Sequence, residues 1–180
     1  MIYTVIFGAR KLGKMKKIAL VILLFATALA SFARQAKKKK LCKKDIVSVS
    51  IHRTVCFGQC PEYEVAINRD GTVTYTAKRF TPDTGIFEKK ISKEEAGQIM
   101  DMIVQYRVDT CTEVYENRIP DLPGLNYTIT YRKKKRVQKI FNSSFGPYFL
   151  LQIAEAMEAI GKKPENAGTE WKKTGMPKMQ

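Results

Sequence analysis

A chain of 180 residues with 44 % hydrophobic and 27 % charged side chains has room for one packed domain plus extensions, and it is too apolar for a disordered segment. Its formal net charge of +15 and pI near 9.7 point at first to phosphate recognition. Residues 45–160, however, hold 15 basic and 15 acidic side chains, so the body is neutral, the excess lies at the two ends, and no nucleic-acid partner is expected.

The front of the chain reads as an export signal. Met15-Lys16-Lys17 supplies a short positive region, and the apolar run Ile18 to Ala30 is 13 residues, too short to span a bilayer core and typical of a signal-peptide centre. The small residues Ser31 and Ala33 place cleavage after Ala33, with Ala28 and Ala30 as the competing pair. Residues 1–33 are thus expected to be an N-terminal extension plus signal peptide with Met15 as its natural start, the competing reading being an uncleaved membrane anchor. Residues 34–44 form a Lys-rich linker whose Lys37, Lys38, Lys39 and Lys40 offer weak contact with an anionic membrane surface. Export predicts a periplasmic or envelope location, where a cysteine pair leans towards a disulfide.

From Asp45 the pattern changes to strands. Val47, Val49 and Ile51 alternate with Ser48, Ser50, His52 and Thr54, and Glu62 to Arg69 repeats the alternation through Tyr63, Val65 and Ile67. Asp70-Gly71 then joins it to Thr72–Lys78, the strongest short hairpin signal in the chain. After the turn Thr81 to Gly85, residues 86–91 make a further short strand. Ser92 followed by Glu95 is a capping box opening a helix whose apolar face is Ala96, Ile99, Met100 and Ile103. Residues 108–124 look irregular. A second hairpin follows, Leu125 to Tyr131 and Arg136 to Phe141 about a charged tip, and Pro147 to Ile160 forms the last helix, stopped by Gly161 and Pro164. Residues 162–180 are expected to be a flexible basic tail. The reading is one α+β domain over 45–161, its sheet mainly antiparallel from two hairpins plus short strands, with two packed helices.

The densest chemistry is Arg53-Thr54-Val55-Cys56-Phe57-Gly58-Gln59-Cys60-Pro61-Glu62-Tyr63, between the first two strands. Cys56 and Cys60 lie four residues apart, and a bend at Gly58 brings them within disulfide reach. So short a loop gains little entropically, so the bond would lock the turn more than the fold. A Cys42–Cys111 pair is the remaining connectivity consistent with it. A second reading makes Cys56 and Cys60 soft thiolate ligands for Cu(I) or a redox pair, since C-x-x-x-C-P also occurs in copper delivery. Against it, a strand rather than a helix follows Pro61, and the one histidine, His52, falls on the polar face of its strand. A third reading is a binding surface: Arg53 shares the parity of the apolar residues and needs a partner, for which Glu62, Glu64 and Asp121 are candidates. Tyr63, Tyr127 and Tyr131 read as core aromatics.

These residues resemble a family of small exported bacterial proteins known only as a domain of unknown function, with the motif R-T-x-C-x-G-x-C-P-x-Y. The match runs through Arg53, Thr54, Cys56, Gly58, Cys60, Pro61 and Tyr63, continues at Asp70-Gly71, and includes the Asp121 to Pro123 loop. The resemblance implies an envelope-associated α+β domain and carries no catalytic activity with it. No phosphate loop, G-x-S-x-G or H-E-x-x-H occurs, so the expectation is a non-enzymatic module without cofactor that binds a protein or envelope component. A thiol-redox or Cu(I)-handling protein is the competing class.

Overall fold

Every strand of the sheet is short and most alternate, which is what lets one open sheet bury a single face. The computed structural model describes residues 41–116, 122–133, 136–163 and 170–177. The stretch predicted as an export signal, Lys37 to Lys40 and Asp121 lie outside the described residues. Within the unit Leu41–Gln180 the strands are β1 (Ile46–Arg53), β2 (Tyr63–Asn68), β3 (Thr72–Ala77), β4 (Gly85–Lys90), β5 (Val114–Tyr115), β6 (Leu125–Tyr131), β7 (Val137–Asn142) and β8 (Lys172–Gly175). The helices are α1 (Lys93–Gln105) and α2 (Tyr148–Gly161). The sheet order is β5-β7-β6-β1-β2-β3-β4-β8, with β5 and β7 parallel and the other described pairs antiparallel. The fold is α+β.

Strict alternation places Val65 and Ile67 of β2, Val73 and Tyr75 of β3, and Tyr127 and Ile129 of β6 on one buried face. Helix α1 adds Ala96, Ile99, Met100 and Ile103, while α2 adds Leu150, Ile153, Ala154 and Met157 and packs over β2 and β3. The capping box forms as the sequence predicts: Ser92 Oγ accepts from the Glu95 N–H at 3.1 Å, and Glu95 Oε2 accepts from the Ser92 N–H at 3.0 Å. At the Asp70-Gly71 turn, Gly71 has φ +86°, and a Cβ there would overlap the Ile91 carbonyl, so the turn takes glycine. Several buried polar groups in this core pair with one another or with the backbone, whereas Trp171 Nε1 and Arg69 Nη2 are buried with no hydrogen-bond partner among the described residues. Tyr131 Oη donates to Gln138 Oε1 at 2.8 Å, Gln138 Nε2 donates to the Val108 carbonyl at 2.8 Å, and Tyr127 Oη donates to the Leu150 carbonyl at 2.8 Å.

Four expectations change. Val47 does not share the face of Val49 and Ile51: a register irregularity between Ile46 and Ser48 turns Ile46 inward and leaves Val47 38 % exposed. The irregular stretch 108–124 contains a short 3-10 turn at Val108–Thr110 and the two-residue strand β5 beside β7. Gly161 is the last residue of α2 rather than a stop beyond it. The flexible tail expected over 162–180 instead supplies β8, paired with β4 and anchored by the buried Trp171. Among the described residues, no helix is long and apolar enough to cross a membrane.

Candidate functional site

The motif residues gather where β1 ends and β2 begins. Because β1 is central and antiparallel to both β2 and β6, the chain leaving Arg53 must reverse within nine residues to re-enter at Tyr63, opposite Arg53 itself. Thr54 fixes the exit: its N–H donates to the Gly124 carbonyl at 2.9 Å, and its Oγ1 accepts from the Gly124 N–H at 2.8 Å. Gly124 is needed for space, since a Cβ there would overlap the Phe141 ring. On the return, the Glu62 N–H donates to the Arg79 carbonyl at 2.8 Å and joins the loop to the end of β3.

Between these fixed points Cys56 and Cys60 are bonded, with Cα atoms 5.5 Å apart. The Gly58 N–H donates to Cys56 Sγ at 3.3 Å. Gly58 does not occupy the left-handed region, and a Cβ there would meet Cys56 Sγ at an ordinary 3.8 Å, so the bend does not demand glycine. Cys42 is exposed, Cys111 is half-buried, and the two are unbonded. Phe57, at the loop's tip, is 88 % exposed.

Arg53 does reach a carboxylate, and among the described residues it is neither Glu62 nor Glu64. Its partner is Glu158 on α2, whose Oε1 accepts from Arg53 Nη2 at 2.8 Å, Arg53 Nε at 3.1 Å and Tyr63 Oη at 2.7 Å. Arg53 Nε also approaches Tyr63 Oη at 3.1 Å. Burial alone would lower the guanidinium pKa, yet the Glu158 hydrogen bond and nearby charge outweigh it and raise it. Burial first, then the hydrogen bond to Glu158, pushes the Tyr63 phenol well above its usual range, so Tyr63 stays a neutral donor. This cluster staples α2 to the sheet at the foot of the disulfide loop.

Glu62 serves His52 instead. Its Oε1 lies 3.2 Å from His52 Nε2 and 3.3 Å from Lys78 Nζ, and its carboxyl titrates below the ordinary range: burial opposes this, and His52 and Lys78 outweigh burial. His52 is therefore half-buried and engaged, not a free surface imidazole. Among the described residues, no group of three or more His, Cys, Asp or Glu is placed to hold a metal ion.

Two cavities flank the Arg53–Glu158 pair. One of about 570 Å³ is lined by Glu158, Lys162, Pro61, Phe80 and Pro82, and the other, about 220 Å³, by Arg53, Pro123, Tyr148 and Leu151. Phe80, on the rim of the first, holds φ +52° and is 53 % exposed. That conformation costs a bulky residue about 1–2 kcal/mol. A further cavity of about 760 Å³ lies between the start of α1 and the Asp70 turn; Asp70 lines it, but no residue from Arg53 to Tyr63 does.

Arg53, Thr54, Cys56, Gly58, Cys60, Pro61 and Tyr63 all lie at this end of the sheet, where Glu158 and Gly124, which the sequence reading did not single out, contact them. Glu158 stands four residues after the buried Ala154 and three before Gly161, a helical position that marks it as inward-facing. The fold and site define an α+β domain with a disulfide-bridged turn at one end of its sheet. Residues 47–161 match a family described as a domain of unknown function, DUF6438, and the chain belongs to that family. No curated protein matches the chain.

Proposed function

We propose that this is an exported, non-enzymatic domain that binds a protein or envelope component through the sheet end built around Cys56–Cys60. The observation that carries the reading is Phe57, 88 % exposed on a loop closed by the disulfide. Covering a phenylalanine stabilises a complex by about 1.5–3 kcal/mol, and a loop already fixed by covalent closure, with Thr54 clamped at its base, loses little further entropy on binding. Exposed aromatic anchors on rigid supports are what binding hot spots are made of. Phe80 and Pro61 extend the apolar surface to the neighbouring cavity. Export rests on the sequence from Met15 to Ala33 and accords with a bonded cysteine pair.

The test places a photo-crosslinking phenylalanine analogue at position 57 in the full chain and, as a control, at Val137, which is 50 % exposed at the far end of β7. A discrete adduct in the envelope fraction from position 57 alone, lost when Cys56→Ser and Cys60→Ser open the loop, is the expected outcome. Equal adducts from both positions, or a reduced chain fractionating with the cytosol, would overturn the reading.

A further inference from the structure

We propose that the outer edge of β4, together with the slot between Tyr75 and Lys89, is a docking groove for an extended partner peptide carrying an aromatic residue followed by basic ones. The peptide adds to the sheet as a strand, and the chain's own residues 170–177 fill the groove in cis.

The family match covers residues 47–161, and of the described strands within that range β4 stands at one edge of the sheet with no strand beyond it. Such an edge presents unpaired N–H and C=O groups that template another strand. Here β8 takes that place, with Phe87 opposite Lys173 and Glu88 opposite Lys172. Its hold is slight. The ladder is interrupted between Ile86 and Phe87, and Lys172, Lys173 and Thr174 are all exposed. Its one buried side chain is Trp171, 8 % exposed, which meets Tyr75 edge-on at 6.2 Å with Lys89 Nζ 4.8 Å above its ring.

The groove also states what it selects. Among the described residues Trp171 Nε1 is buried with no hydrogen-bond acceptor, so the slot uses the ring and not its N–H, and an aromatic of that size fits. Basic residues are favoured next, because Lys172 stands opposite Glu88, and Lys173 Nζ donates to the Thr84 carbonyl at 3.0 Å while lying over Phe87. A tail joined through residues 164–169 competes at an effective concentration on the order of millimolar, so only a displaced tail or a tighter peptide opens the groove.

The test uses the full chain and a fluorescein-labelled peptide of residues 170–177, followed by anisotropy. The Trp171→Ala chain is expected to bind the peptide at least tenfold more tightly than the wild type, and a peptide with its tryptophan changed to alanine at least tenfold more weakly than the parent peptide. Lys173→Glu removes the hydrogen bond to Thr84 and the cation over Phe87 while leaving every buried side chain unchanged, and is expected to shift binding in the same direction, which keeps the test decisive where Trp171→Ala fails to fold. Equal affinity for wild type and folded variants would overturn the proposal. So would a concentration-dependent wild-type dimer with buried Trp171 emission, which would assign the groove to tail exchange between copies; Trp171 is the chain's one tryptophan and reports this directly.

Discussion

Replacing Glu158 with leucine strips Arg53 and Tyr63 of their shared acceptor while keeping the helix position filled. Three hydrogen bonds of 2.7–3.1 Å converge on one carboxylate oxygen. Removing one partner of a fully buried pair costs about 3–5 kcal/mol. The side chains of Arg53 and Glu158 are 29 % and 19 % exposed, so water recovers part of that loss and about 2–3 kcal/mol remains. For a domain of this size the midpoint of thermal unfolding should fall by roughly 6–12 °C. Urea unfolding followed by circular dichroism measures the free energy directly, and a cycle with Arg53→Met isolates the pair. The double variant should be more stable than the sum of single losses predicts by about 1–2 kcal/mol, because neither charge is then stranded. Glu158→Gln keeps a neutral acceptor and should cost only about 1 kcal/mol. Single losses that add to within about 0.5 kcal/mol, or a Glu158→Leu chain as stable as the wild type, would refute the claim that this carboxylate staples helix to sheet.

Opening the disulfide with Cys56→Ser should cost at most about 2 kcal/mol by the loop-entropy relation for a separation of 4, with the fold retained by near-ultraviolet dichroism; global unfolding on reduction would contradict a purely local role. The same reduced chain, titrated with Cu(I), is expected to show no tight binding, and a stoichiometric high-affinity complex would move the function to metal handling. Gly161→Ala should destabilise by about 1–3 kcal/mol despite alanine's better helix propensity, since the new Cβ would overlap Val65, whereas Gly97→Ala, with open space around it, should stabilise by up to about 1 kcal/mol in the same melting assay. Asp70 falls from its ordinary 3.8 to about 2 through hydrogen bonds from the Thr72 backbone, the Thr72 side chain and Lys90. Because the folded state holds the charged form, its contribution is present above pH 4 and lost as the pH falls from about 4 to about 2; Asp70→Asn should flatten that part of the stability profile.

The sheet and helices could be read from the sequence because their signals are local. Alternation through Tyr63, Val65 and Ile67 and the Ser92–Glu95 box each need only a few neighbouring residues. What was not legible depended on distance or on a break in period. Glu158 lies 105 residues from Arg53, and no spacing rule links a strand end to a helix so remote; only its place between Ala154 and Gly161 hints that it faces inward. Val47 obeyed the alternation but not the fold, because an inserted residue resets the parity of β1. Lys172 to Gly175 has no alternation and sits among turn-forming residues, so its strand is imposed by the β4 edge and announced only by Trp171. The motif cysteines were legible because four residues of chain leave few ways to arrange them.

The position of β1 has a mechanical consequence. It is the first strand among the described residues yet lies mid-sheet, bonded along its length to β2 on one side and β6 on the other. Force applied along the strand axis at the front of β1 therefore acts on the middle of the sheet. In that direction the ladder bonds on both flanks, which run across the strand, are sheared together rather than unzipped one at a time. A domain held at the front of β1 would in this way meet force across two ladders at once rather than at the interrupted β8 edge.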